Sequence, residues 1–147
     1  MLVMGILNVT PDSFADGGRH HEFDAAVKRG LEMIAEGVDI IDVGGESTRP
    51  GADRVSQEEE IARTIPVITE LAKHGATISI DTMRASTARA AVKAGAAMIN
   101  DVSGGLADDA MLQTAAELKV PYIAMHWRGQ SKDMNSKAVY GDVVNEV

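Results

Sequence analysis

Short, almost wholly apolar runs recur along this chain, at residues 2–8, 38–43, 77–81, 97–101 and 121–125. Between them lie segments whose apolar residues fall at helical spacing. A strand covered on both faces reads as a continuous apolar run. Such strands alternating with helices of about 10–15 residues argue for a parallel sheet with right-handed crossovers. Phe23, Val27, Leu31 and Ile34 predict the first helix, closed by Gly37. Ser56 with Glu59 forms a capping box ahead of Ile61, Ile65, Ile68 and Leu71, and Pro66 should kink that helix. Ser86 and Asp108 are the expected caps of the third and fourth helices. Val143, Val144 and Val147 begin a fifth.

Two architectures share this pattern, an open doubly wound sheet and a closed (β/α)8 barrel. A dinucleotide-binding open sheet should carry G-x-G-x-x-G in its first turn. That turn reads "NVTPDSFADGG", and no G-x-x-x-x-G-K-[ST] occurs elsewhere. The barrel is favoured, yet five strands do not close one. The expectation is an α/β chain forming a partial (β/α)8 TIM barrel, with residues 1–147 the N-terminal portion of a single domain.

Polar side chains stand where each apolar run ends. These are Asn8, then Asp42 with Gly44-Gly45-Glu46, then Asp81, then Asn100-Asp101, and Met125 followed by His126. In a parallel sheet all these ends share one rim, the rim at which barrels and open α/β sheets bind ligands. Taken singly, Asp81 also suits a helix cap, Asn100 and Asp101 suit a turn, and His126 suits a structural hydrogen bond. Their recurrence at one end of successive strands favours a ligand with its own donors and acceptors.

Two connections are longer than a crossover needs. Strand-to-helix loops usually take about 2–6 residues, and longer ones tend to be functional. "NVTPDSFADGGRHHE" holds Asp12 and Asp16, and "GGESTRPGADRV" holds Ser47, Thr48 and Arg49. A guanidinium fork beside hydroxyls suits a phosphate group, which makes the second loop a candidate lid and anion grip. The alternative is a surface loop with an ordinary Arg49–Glu46 contact. His20 and His21 lack metal-ligand spacing and read as surface residues.

Composition narrows the partners. A net charge of −8 without a basic run argues against nucleic acid. No apolar run approaches the roughly 20 residues of a membrane span, and "MLVMGILN" lacks a basic leader. The chain has no cysteine, so disulfides, zinc thiolates and thiol nucleophiles are excluded. A cytoplasmic protein acting on small molecules is expected.

The segments "MGILNVTPDSFADGG" and "DIIDVGGESTRPGA", with "SIDTMR", "MINDVSGG" and "MHWR" in register behind them, resemble the signatures of the dihydropteroate synthase family. Ala15 stands where that family usually has Ser. The resemblance implies a TIM barrel that condenses p-aminobenzoate with 6-hydroxymethyl-7,8-dihydropterin diphosphate, releasing pyrophosphate, with Mg2+ on the diphosphate and sulfonamides as competitors. It further implies Asn8 as the metal-side ligand and Asp81 and Asn100 as pterin-edge contacts. Thr48 and Arg49 become second-loop contacts, Phe14 and Asp16 the first-loop groups over the aminobenzoate and the reacting carbon, and Met125 a substrate contact. Asp16 and Arg49 are the expected catalytic pair.

Later strands of the family supply a further pterin-binding Asp, a Lys, and an Arg and His for the diphosphate, and none has a counterpart in this sequence. The expectation is therefore a piece of a synthase that is silent alone and that pairs with the missing barrel half or with itself. A non-catalytic assembly module and a methyltransferase-type pterin barrel are the alternatives. "NVTPDSF" and "GGESTRPGA" together favour the synthase over the latter.

Overall fold

The computed structural model describes residues 1–10, 18–47, 54–130, 132 and 134–147. Strands β1 (Met4–Asn8), β2 (Ile40–Gly44), β3 (Ile78–Asp81), β4 (Met98–Asp101) and β5 (Tyr122–Ala124) form one sheet. Helices α1 (Gly18–Ala35), α2 (Gln57–Lys73), α3 (Ala85–Ala94) and α4 (Met111–Leu118) fall between them, and α5 (Val143–Glu146) is a single exposed turn near the end. All four pairings are parallel and the spatial order is the chain order. A doubly wound sheet would reverse its strand order at a switch point. Here there is none, and α1 packs on α2, α2 on α3 and α3 on α4. This is an α/β arc of the kind that closes into a (β/α)8 barrel.

Alternate residues of a strand face opposite sides of the sheet. Leu7, Ile41, Val43, Ile78, Ile80 and Ile99 face the helices and are at most 2% exposed. Val67, Ile68 and Leu71 of α2, Ala88 and Ala91 of α3 and Met111 of α4 complete this core. A Cβ on Gly30 would come within 2.7 Å of Leu71, so α1 and α2 approach as closely as a glycine permits.

The strands are shorter than the apolar runs. Before β1, the Val3 amide donates to Asp39 Oδ2 at 2.7 Å, and the Val3 carbonyl accepts from the Asp39 and Ile40 amides. Val38 lies in the turn after α1, where its amide donates to the Met33 carbonyl. β5 begins after Pro121, which has no N–H for the ladder.

Ser56 caps α2 as expected, accepting from the Glu59 amide at 3.2 Å, and α2 runs on through Pro66. Its buried stripe keeps Ile68 and Leu71 of the predicted one but starts from different residues. Glu60, Thr64, Val67, Ile68 and Leu71 are buried, while Ile61 and Ile65 are only partly covered. The helix can turn a carboxylate inward because β3 and α3 supply partners for it.

Ser86 is not a cap, since it lies inside α3. The Ala85 amide instead donates to Asp108 Oδ2 at 2.8 Å, and the Arg84 amide to Thr82 Oγ1 at 3.1 Å. Asp108 also receives the Ala110 amide at 3.0 Å, but Ala110 itself holds the N-cap position of α4 and no side chain caps that helix, so Asp108 is not its cap.

Truncating Leu71 to Ala should lower unfolding free energy by about 2–5 kcal/mol, because its side chain is fully buried between α1 and the sheet. The same change at Leu106, 70% exposed, should stay within about 0.5 kcal/mol. Urea melts of the two variants check this.

Candidate active site

The strand register sets four residues in a line. Asn8 of β1 is opposite Gly44 of β2, Gly44 opposite Asp81 of β3, and Asp81 opposite Asn100 of β4. Residues paired across parallel strands face the same way, so these four share the side of the sheet away from the helices. Gly44 keeps the middle of the line open. A Cβ there would stand 3.3 Å from Asp81 Oδ2 and 3.7 Å from Asn8 Oδ1. Two residues earlier, the same face carries Ile6, Asp42, Ser79 and Met98.

Asn100 Nδ2 donates to Asp42 Oδ2 at 2.9 Å. The bond orients the amide, and Asn100 Oδ1 and the second amide hydrogen remain for a ligand. Asp42 is 4% exposed, yet among the described residues its Oδ1 has no hydrogen-bond partner, and neither has the buried Ser79 hydroxyl. No hydrogen bond among the described residues reaches the Asp81 carboxyl either. Unmet buried acceptors of this kind are costly without a ligand.

Burial pushes the Asp81 carboxyl up to about 7, and the carboxylates of Asp42, Glu60, Asp101 and Glu46 add to the shift. Near neutrality this group can exist as donor or acceptor. N–H donors from a ligand would draw it toward the carboxylate.

Asp101 faces the other way. It accepts from the Ser103 amide and hydroxyl, the Gly105 amide and the Tyr122 hydroxyl, which makes it a turn former buried in the wall. His126 meets the Tyr140 hydroxyl at 3.1 Å, the structural hydrogen bond its position suggested. Met125 is half-exposed one residue beyond β5 and lines a cavity of about 130 Å3 with Met83, Val102 and Trp127. Phe14, Asp16, Thr48 and Arg49 lie outside the described residues.

Asp42 was legible as an acid between Ile41 and Val43 in an otherwise apolar strand. Glu46, marked by the sequence at the end of the second strand, joins Glu60 and Arg84 in an ion cluster beside the row, and those two were not singled out. The only signal was that Glu60 and Thr64 share a helical stripe with Ile68 and Leu71.

The family described as pterin binding enzyme matches residues 4–147. The chain belongs to that family. A dihydropteroate synthase of Mycobacterium leprae is 55% identical over 146 residues, which make up 99% of this chain and 51% of that protein. A Xanthomonas albilineans dihydropteroate synthase solved with 4-aminobenzoic acid is 50% identical, with a TM-score of 0.87 over 99% of this chain and 51% of that one. A structure of the synthase from the same organism in complex with 7,8-dihydropteroate is 44% identical, with a TM-score of 0.81 over 99% and 50% of the two chains. The chain spans about half the length of these relatives.

For a pterin binding enzyme, the donor set bears on any metal. Among the described residues no group of three or more His, Cys, Asp or Glu could hold an ion. Mg2+ does not require one, since it keeps several waters and takes one or two protein oxygens beside substrate phosphates. The exposed amide of Asn8 at the rim, with no hydrogen bond among the described residues, fits that part. No described helix is long and apolar enough to cross a membrane.

The raised Asp81 has a consequence for stability. The folded chain holds its proton up to about pH 7, whereas an unfolded Asp loses it near pH 4. The unfolded state thus binds fewer protons across that window, and stability falls as pH rises through it. Asp81→Asn removes the titration. Its stability relative to the parent chain should increase between pH 4 and pH 8 by an amount on the order of kcal/mol, and equal differences at both pH values would refute the shift. Denaturant melts at the two pH values measure it.

Proposed function

We propose that this chain carries the pterin-holding part of a dihydropteroate synthase, which joins p-aminobenzoate to 6-hydroxymethyl-7,8-dihydropterin diphosphate and releases pyrophosphate. The observation that carries the reading is the in-register row of Asn8, Gly44, Asp81 and Asn100 on the side of the sheet away from the helices. Likeness to synthases solved with 4-aminobenzoic acid and with 7,8-dihydropteroate supports it.

The residue chemistry suits the substrate. A pterin edge offers ring N–H and amino donors beside a carbonyl acceptor. The Asp81 carboxylate takes the donors, and Asn100, held by Asp42, presents both an amide oxygen and an amide hydrogen. In the reaction the bond from the pterin methylene to the diphosphate oxygen breaks, and a bond from that carbon to the aminobenzoate nitrogen forms. The electron pair leaves with the diphosphate, and the amine gives up a proton. Bound at Asn8, Mg2+ would supply charge neutralisation for the departing anion. In the same reading Arg49 and Thr48 grip the diphosphate, and Asp16 favours positive charge at the methylene. Phe14 closes over the aminobenzoate, whose place a sulfonamide would take, and Met125 is a further substrate contact.

The open face and the outer strands β1 and β5 would receive the remainder of a barrel. The purified chain should release no pyrophosphate alone, and activity should emerge when it is combined with the C-terminal half of a complete relative. It should bind 6-hydroxymethylpterin with an affinity that rises roughly tenfold between pH 6 and pH 8, as a group titrating near 7 ionises. Asp81→Asn should abolish both the pH dependence and most of the affinity. Fluorescence titrations decide this, and a pH-independent affinity that survives Asp81→Asn would refute the reading.

A further inference from the structure

The Asn100 amide meets Asp42 across a strand to which neither belongs. Asp42 lies on β2 and Asn100 on β4, with β3 between them. Neighbouring strands stand about 4.8 Å apart, so the two backbones are separated by roughly twice that. The 2.9 Å bond from Asn100 Nδ2 to Asp42 Oδ2 therefore spans β3. Opposite Asp42 on β3 is Ser79, fully buried and small enough to leave room for the span.

The bond has one polarity. A carboxylate only accepts, so it holds Asn100 by the amide nitrogen and not by the amide oxygen. No other hydrogen bond among the described residues reaches the Asn100 side chain, so this contact decides which way the amide faces. Turning the amide over would set Oδ1 against a carboxylate oxygen, and Asp42, at 4% exposure, has little water to separate them. Oδ1 and the remaining amide hydrogen are left side by side as acceptor and donor. That pair matches an amino group next to an unprotonated ring nitrogen, the pairing by which an asparagine reads the amino edge of adenine. In a pterin, the 2-amino group and N1 form such an edge. In the corresponding 2,4-dioxo ring, a lumazine, C2 bears a carbonyl and N1 a hydrogen, so both polarities are reversed.

We infer that Asp42 is a positioning residue that determines ring specificity: by locking the Asn100 amide, it selects the 2-amino ring and rejects the 2-oxo ring. The inference rests on the proposed synthase reading and deepens it, since affinity for a ring and discrimination between rings are separate quantities.

The test uses the full chain, with 6-hydroxymethylpterin and 6-hydroxymethyllumazine as probes in fluorescence titrations. The parent chain should prefer the pterin by at least roughly tenfold, because the lumazine would leave two mismatched polar pairs. Asp42→Asn keeps the shape and can donate as well as accept, so the Asn100 amide is free to turn. The preference should then fall to within about threefold, chiefly through tighter lumazine binding. A gain in affinity for the wrong ring is a result that loss of structure does not produce. Asn100→Ala should also remove the preference. Adding Asp42→Asn to it should change the preference no further, because both act through one contact.

If Asp42→Asn does not fold, the side-chain amide NMR signals of Asn100 in the parent chain carry the test. One of its two hydrogens should exchange slowly before any ring is added and keep its shift when the pterin binds, while the other moves. Equal exchange of the two hydrogens overturns the inference. So does an Asp42→Asn chain that loses both rings by the same factor or keeps the parent's preference, and so does a parent chain that binds both rings equally. In each of these cases the pterin reading stands. A parent chain that binds neither ring removes the reading on which the inference rests.

Discussion

In-register hydrogen bonding of four parallel strands puts Asn8, Gly44, Asp81 and Asn100 on one line, and the rest of the site is arranged around that line. The register is not held for the sake of the site. Leu7, Val43, Ile80 and Ile99 alternate with the line and fill the space beneath the helices, each at most 2% exposed. Slipping one strand by a residue would turn a core side chain outward and a polar one inward. Core packing and site geometry are therefore two faces of a single constraint.

Carboxylates gather on this end of the sheet, and the fold treats them in two ways. Glu46 and Glu60 are met by Arg84, with Arg54, Thr82 and Thr87 completing their hydrogen bonds. Buried charges are retained when paired in this manner. Asp42 and Asp81 receive no cation among the described residues, and their one shared aid is the Asn100 amide on Asp42. Burial and the surrounding negative charge hold the Asp81 proton near neutrality. The contrast separates groups that build the wall from groups that await a ligand.

The sheet's second face extends beyond the polar line. Ile6 is 64% exposed and Ile123 39% exposed, and both lie on that face, on the outermost strands. Inward side chains of a barrel normally pack in layers against those of the other strands. The relatives that share this fold are about twice as long, so the apolar residues flanking the row and the proposed need for a complementing half point the same way.

The sequence by itself determined the order of strands and helices, the parallel sheet and the polar ends of the strands. Those features follow from local periodicity and from the bare alternation of residue types. It marked Asn8, Asp81 and Asn100 for the same reason. It erred where distant partners outweigh local pattern. Ser86 yields its expected capping role to Asp108, a side chain 22 positions later in the chain. The buried stripe of α2 runs through Glu60 rather than Ile61, because Arg84, Thr82 and Thr87 make a carboxylate acceptable inside. Only the tertiary structure decided that Asn100 leans on Asp42, 58 residues away, and that one arginine bonds both Glu46 and the Val55 carbonyl. Hydrogen bonds between groups so far apart leave no periodic trace, since their geometry exists only after the strands have paired.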